Sequence, residues 1–381
     1  MTIATPPWTP DAGQANAVAL QVLLGGPISR SEIARRLGLS AGSLTRLTGT
    51  LLDAGLLVEV GERADGRAGR PSRLLDVVPA SRSFLGLKLT GEAVLGAATD
   101  LRASVLATAT EPLRSRSPED VVAVIEHVVG RLATAVPSSV TALGVGVGAL
   151  VSPTGVVLSA PFLGWEDVDL RALLEARLHL PTVIENDVTA FTAYENWFGA
   201  ARDAERFAVI TLGAGVGYGL VVGERIVVGP DSGIGLVGHW PIDPFGPVCT
   251  AGHRGCAQGV LTTSAIVAAV TTALGREVGY EEALDLAEAG EPGARRVVED
   301  AGRGLGHLIA AVANLTVPEL VVLGGEGVRL AVVAADAVQQ GLREHRDPRA
   351  GALPLTTTSG DDTEWCRGAA ALAIQAYVLG E

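Results

Sequence analysis

Residues 28–60, ISRSEIARRLGLSAGSLTRLTGTLLDAGLLVEV, leave the chain few ways to fold. A helix over Ser31–Leu37 must stop at Gly38-Leu39, and Ser40 is placed to cap a second helix with its side-chain oxygen. In that second helix Leu44, Leu47 and Leu51 recur at i, i+3 and i+7, the spacing of one inward face, and Gly55 falls where a left-handed C′ glycine is expected. Two short helices joined through a glycine turn make a helix-turn-helix, whose second helix fits a DNA major groove. With the leucines inward, Ser40, Gly42, Ser43, Thr45 and Arg46 are the candidate base and phosphate contacts. The runs LLVEV and SRLLDVV read as two strands joined by GERADGRAGRP, so Arg63, Arg67 and Arg70 lie on a glycine-rich wing. Arginines so placed suit phosphates or a narrow minor groove. The competing reading of the same pattern is a helical hairpin used for protein contact.

Charge is distributed in keeping with the first reading. The 381 residues carry a net charge of −13. Residues 1–80 hold eight Arg against seven acids, a net of +1, so the remainder carries −14. A basic patch on an acidic protein marks a polyanion contact when a fold supports it.

A chain of this length that is 48% hydrophobic and 19% charged can bury more than one core and suggests two or three domains. Beyond the head, apolar runs such as ALGVGVGALV, FAVITLGAGVGYGLVV and ELVVLGG alternate with amphipathic stretches such as SPEDVVAVIEHVVGRLATAV, which argues for an α/β architecture. No apolar run reaches the ~18 residues of a membrane span, and the first residues lack the basic and apolar regions of a signal peptide. The expectation is a cytoplasmic protein with no membrane partner. Three cysteines do not make a disulfide framework, so Cys249 and Cys256 read as metal-binding or packed, and Cys366 as a packed residue of a C-terminal helix.

The segments FLGLKLTGEAVLGAATDLRASVL, APFLGWEDVDL, LPTVIENDVTAFTAYE, ITLGAGVGYGLVVGERIVVG and LVVLGGEG, behind a winged helix, resemble the ROK family (repressor, open reading frame, kinase) in order and spacing, from about Ala15 onward. That family contains sugar kinases and sugar-responsive transcriptional repressors. The resemblance implies a winged helix-turn-helix over residues 15–80 and, over 81–381, a two-lobed actin/hexokinase-like body that binds an effector in a cleft between its lobes and dimerises.

The resemblance also lets the kinase chemistry be audited. Asp187 in ENDV matches the family's catalytic aspartate and Asn186 its sugar-binding neighbour, while Thr211–Gly219, TLGAGVGYG, keeps the second phosphate loop. Where the family's first loop reads Asp-x-Gly-Gly-Thr, this chain has Lys88-Leu89-Thr90-Gly91-Glu92. A lysine cannot hold a magnesium-bound water, and Glu92 would face the triphosphate with like charge. No ATP is expected. Lys88 is either an ion-pair partner for Asp187 or a ligand for an effector phosphate.

The sugar and metal patterns have drifted too. Gly235-Leu236-Val237-Gly238-His239 keeps the family's histidine without its glutamate, Gln258 stands for a second glutamate, and Phe162 for an asparagine. The expected effector residues are Lys88, Phe162, Asn186, Asp187, His239 and Gln258. The family's zinc pattern, one histidine with Cys-x-Cys-Gly-x-x-Gly-Cys, here reads His239 with Cys249-Thr250-Ala251-Gly252-His253-Arg254-Gly255-Cys256. His239, Cys249 and Cys256 are one ligand short of a tetrahedral site unless His253 or water completes it. The alternative is a loop packed without metal. The expectation is a DNA-binding regulator, a repressor rather than a kinase, that is homodimeric or a dimer of dimers, binds a double-stranded operator and responds to a sugar-like or sugar-phosphate-like effector. A sugar kinase with an appended DNA-binding head is the alternative.

Overall fold

A computed structural model of the chain describes residues 13–63 and 72–380. The head consists of α1 (Gly13–Gly25), β1 (Ile28–Ser29), α2 (Arg30–Leu37), α3 (Ala41–Asp53), β2 (Leu57–Arg63) and β3 (Ser72–Val77), with an antiparallel sheet in the order β1-β3-β2. Its boundaries follow from the caps. Ser29 Oγ accepts the Glu32 amide and Ser40 Oγ the Ser43 amide, satisfying N–H groups that a first turn leaves orphaned. Gly38, at φ 63°, ends α2. α3 closes on Gly55, at φ 68°. The Gly55 amide bonds the Leu52 carbonyl at 2.9 Å and the Leu56 amide the Leu51 carbonyl at 3.0 Å, the pairing of a Schellman end.

One residue of the expected inward face is corrected. Leu44 and Leu51 are buried, but the third buried position is Thr48, whose hydroxyl donates to the Leu44 carbonyl at 2.9 Å, and Leu47 is only half-buried. α1 and α2 both pack on α3, and the face they define runs through position 48. The hydroxyl tolerates this burial because the backbone of its own helix satisfies it.

The body continues with β4 (Ser83–Leu89), β5 (Ala93–Thr99), β6 (Val105–Pro112), α4 (Pro118–Ala135), β7 (Val140–Val147), β8 (Leu150–Val151), β9 (Val157–Ala160), β10 (Trp165–Val168), α5 (Leu170–Leu178), β11 (Thr182–Asn186) and α6 (Asp187–Trp197). There follow β12 (Arg206–Leu212), β13 (Val216–Val222), β14 (Arg225–Ile226), α7 (Ala257–Leu261), α8 (Thr263–Leu274), α9 (Tyr280–Glu288), α10 (Pro292–Thr316), β15 (Leu320–Gly324), α11 (Arg329–Val333), α12 (Ala335–Glu344), β16 (Leu355–Thr357) and α13 (Asp362–Leu379).

One five-stranded sheet has the order β11-β7-β4-β5-β6, the other β14-β13-β12-β15-β16. In each, the first strand lies at the centre, an antiparallel meander extends one side and two parallel strands extend the other. The body therefore repeats one topology twice.

The described residues form two compact units, one running to Ala190 and taking back the chain from Trp365, the other covering Phe191–Glu364. In the first, α4 covers the sheet through Ile125 and Val128 against Leu85, Leu87 and Val145. On its other face α13 comes so near that a Cβ on Gly86 would stand 1.9 Å from the Cys366 carbonyl oxygen, and one on Gly144 1.8 Å from that of Ala369. Only glycine fits there. The head is tied to this unit: buried Asn16 of α1 donates from Nδ2 to the Leu379 carbonyl at 2.8 Å, and Arg102 donates to Asp76 of β3. In the second unit the long α10 buries Leu305, Leu308 and Ile309 against Ile210 and Leu212 of β12. No helix among the described residues is long and apolar enough to cross a membrane.

Candidate functional site

At the start of α3, Ser40, Gly42, Thr45 and Arg46 are exposed and Ser43 is half-exposed. Ser40 Oγ is 3.0 Å from Ser43 Oγ, and Thr45 Oγ1 donates to the Ala41 carbonyl at 2.9 Å. The Arg46 guanidinium has no side-chain hydrogen bond or ion pair among the described residues, whereas Arg30 and Arg73 are both engaged by Glu59. A free guanidinium on a recognition helix is what bidentate guanine readout requires. Arg67 and Arg70 lie outside the described residues, as does the side chain of Arg63.

In the first unit, β4 and β11 run parallel to β7 on either side of it and bring Lys88 together with Asp187. The Lys88 ammonium donates to Asp187 Oδ2 and stands 4.2 Å from the centre of the Trp365 ring. Both charged side chains are nearly buried, 12% and 13% exposed. Asp187 Oδ1 accepts the Val188 amide at 2.9 Å. Asn186 acts on backbone: its Oδ1 accepts the amides of Val188 and Thr189 at 2.9 and 3.2 Å, and its Nδ2 donates to the Ala149 carbonyl at 3.1 Å. It caps α6 and so positions Asp187. The Phe162 ring is 55% exposed and lies alongside Gly148, which Asp187 Oδ2 also approaches. Behind Asn186, burial pushes the Glu185 carboxyl above the usual glutamate range, only partly offset by the Asn186 amide.

The turn between β4 and β5 is closed on itself. Thr90 Oγ1 accepts the amides of Glu92 and Ala93 at 3.2 and 2.9 Å.

In the second unit, the Cys249–His253 segment folds into a tight turn, with the Gly252 amide on the Cys249 carbonyl and the Cys249 amide on the His253 carbonyl, both at 2.9 Å. The turn swings His253 back over Cys249. His239 Nδ1 is 3.8 Å from Cys249 Sγ and 3.9 Å from Cys256 Sγ, and His253 Nδ1 is 3.8 Å from Cys249 Sγ. The ligand atoms of His239, Cys249 and His253 all lie within 4.8 Å of one another. Around a tetrahedral zinc with bonds of about 2.0–2.3 Å, N···S separations are about 3.6 Å. These three are of the right chemistry and nearly the right size, whereas Cys256, though its Sγ is 3.9 Å from His239 Nδ1, is not part of that group. Burial opposes ionisation of Cys249, but hydrogen bonds from the His253 and Ala251 backbone and from the Cys256 and His253 side chains outweigh it and draw the thiol down to about 6. Burial and the neighbouring Cys249 sulfur push Cys256 up.

Gln258, on α7, places Nε2 3.5 Å from the Ala214 carbonyl, and its Oε1 would be 3.3 Å from a Cβ on Gly238, next to His239. Gln258, His239 and the Gly213–Gly219 loop thus share one neighbourhood. A residue that sequence reasoning passed over joins them: Glu326, in the turn after β15, accepts the Ala214 amide on Oε1 at 2.9 Å. The available signal was an acid inside the glycine run GGEG that follows a buried strand.

A winged helix-turn-helix tied to a body of twice-repeated actin-like topology, with a degenerate phosphate loop and a His/Cys loop, defines a class of ligand-sensing DNA-binding proteins built on a sugar-kinase scaffold. The chain belongs to the ROK family, whose model matches residues 84–376, and the MarR family model matches residues 15–68. It is 30% identical over 336 residues to the Escherichia coli DNA-binding transcriptional dual regulator NagC, covering 82% of this chain and 80% of that protein. It is 26% identical over 306 residues to the Xylose repressor of Bacillus spizizenii, covering 80% and 79%. The crystal structure of a ROK family transcriptional regulator, a homologue of the E. coli Mlc protein, superposes with a TM-score of 0.83 at 28% identity over 97% of this chain and 96% of that one.

Proposed function

We propose that the chain is a transcriptional regulator, a repressor after the example of its relatives, with residues 15–80 as the operator-binding domain and residues 81–381 as the effector-binding and dimerising body. The observation that carries this reading is α3: a capped recognition helix whose outward face is Gly42, Thr45 and Arg46, whose guanidinium has no partner among the described residues. Ser40 and Ser43 would meet phosphates, Arg46 a base edge, and Arg67 and Arg70 of the wing the flanking backbone. A two-fold dimer presents two such helices, so the operator is expected to be a palindrome with half-sites about one helical turn apart or a multiple of it.

The effector is a sugar-like molecule, for which the candidate contacts are Phe162, Asn186 and Asp187 in the first unit, with Lys88 acting through Asp187, and His239 and Gln258 in the second. A phosphotransferase needs its aspartate free to take a hydroxyl proton and a carboxylate to organise magnesium. Here the aspartate is neutralised by Lys88, and the first loop has spent two of its amides on Thr90. These features support a body that binds without phosphorylating. Zinc would be held by His239, Cys249, His253 and Cys256. It would fix the His239 ring through Nδ1 and leave Nε2 to hydrogen-bond the effector.

The test is an operator selected in vitro from genomic fragments and titrated by fluorescence anisotropy. Arg46→Ala should weaken binding by about 1–3 kcal/mol and relax one base position, while Arg70→Ala should weaken all sequences evenly. A double variant that binds as tightly as the parent refutes the assignment. ATP-dependent phosphorylation of any hexose, abolished by Asp187→Asn, would instead establish the kinase reading.

A further inference from the structure

We infer that the second glycine loop is closed to phosphate by Glu326, and that the effector of this body is an uncharged polyol rather than a phosphoester or nucleotide. The inference rests on the reading of the body as a ligand sensor and names the chemical class it selects.

A glycine loop binds anions because consecutive amides converge on one point with no side chain in the way. In this loop the convergence point is taken. The Ala214 amide bonds Glu326 Oε1 at 2.9 Å, and the Gly213 amide bonds the Gly215 carbonyl at 3.0 Å. The carboxylate lies flat against Gly213: a Cβ there would stand 2.0 Å from Oε1 and 2.6 Å from Oε2. Glu326 is held over the loop by backbone. Gly325, at φ 88°, lies so close to β12 that a Cβ on it would be 2.4 Å from the Leu212 carbonyl oxygen, and the Gly327 amide bonds that same oxygen at 2.8 Å. The Tyr280 hydroxyl donates to the Gly327 carbonyl at 2.7 Å and pins the turn from outside.

An incoming phosphate must therefore displace a carboxylate and then remain beside it, like charge against like. Arg329, three residues beyond Glu326, does not offset this, because Glu281, Asp285 and Glu288 engage its guanidinium. What the neighbourhood of the loop offers a ligand is the neutral amide of Gln258 and the His239 ring. These suit hydroxyl groups, for which uncharged donors and acceptors suffice. Glu326 is thus a specificity residue: it satisfies the Ala214 amide and presents a negative charge to anything phosphorylated.

The experiment is isothermal titration of the full-length parent, Glu326→Ala and Glu326→Gln with inorganic pyrophosphate, magnesium-free ATP and hexose 6-phosphates, beside a panel of free hexoses, pentoses and N-acetylhexosamines. The parent should give flat titrations with every anion. Glu326→Ala should bind pyrophosphate at least tenfold more tightly than the parent. Glu326→Gln, which keeps an acceptor for Ala214 but removes the charge, should gain less, and it serves as the folded control. The inference is overturned if the parent binds pyrophosphate as well as Glu326→Ala does, if both variants stay flat, or if the parent prefers a hexose phosphate to the free hexose. Operator affinity is read on the same samples. Intact operator binding with any of those results sinks the specificity claim alone, and a parent that binds no operator sinks the reading beneath it.

Discussion

Replacing Lys88 by methionine separates an internal ion pair from a ligand-binding cation. Methionine keeps most of the apolar stem against Trp365 and removes only the ammonium, so the loss is electrostatic. Asp187 is then left 13% exposed with the Val188 amide as its remaining neighbour of note. Breaking one side of a buried pair costs about 3–5 kcal/mol. The residual exposure of both side chains argues for the lower end, about 3 kcal/mol, and loss of the cation over Trp365 adds up to about 1 kcal/mol. For a unit of about 200 residues, each kcal/mol moves the melting temperature by about 2–4 °C, so Lys88→Met should melt about 6–16 °C below the parent with no ligand present. The assay is differential scanning calorimetry of Lys88→Met, Asp187→Asn and the double variant, following the transition of the first unit. The double variant should recover much of the loss, since the unpaired carboxylate is what makes the single change costly. A Lys88→Met shift under about 2 °C, or a double variant no better than the single, would refute the argument and return Lys88 to the list of free cations.

Two further outcomes follow from the remaining geometry. Metal analysis of protein purified without chelator should find one zinc per chain, and His253→Ala should lower the occupancy and the melting temperature while Ala251→Ser does neither; equal zinc in parent and His253→Ala would remove His253 from the ligand set. Glu185 is held by burial above its ordinary pKa, so the folded state binds its proton more tightly than the unfolded chain does, and stability is lost as pH rises from the unfolded value of about 4.3 through the folded one. Glu185→Gln should therefore melt above the parent at pH 7, with the gap closing as pH falls below about 4; a constant gap across that range would show that the carboxyl is not the cause.

Family membership and the head were legible in the sequence because their signals are local. Capping serines three residues before their targets and glycines at left-handed positions act within one turn of chain, and Ser40, Gly38 and Gly55 behave as their spacing requires. The inward face of α3 was the exception. Whether 47 or 48 is buried depends on where α1 and α2 lie, and periodicity alone allows either. His253 was legible as an option only, since its use depends on a turn that brings the fourth residue after Cys249 back onto the sulfur.

The sequence by itself determined that the chain has a reading helix, two α/β halves and a broken first phosphate loop. Tertiary structure alone decided that Lys88 spends its charge on Asp187 from a strand 99 residues away, and that Glu326 closes a loop 112 residues before it. The physical reason is that hydrogen bonds and ion pairs are short-ranged while the chain positions that form them are not. Which donor meets which acceptor is set by strand register and by glycines that let backbones touch, and neither distance appears along the sequence.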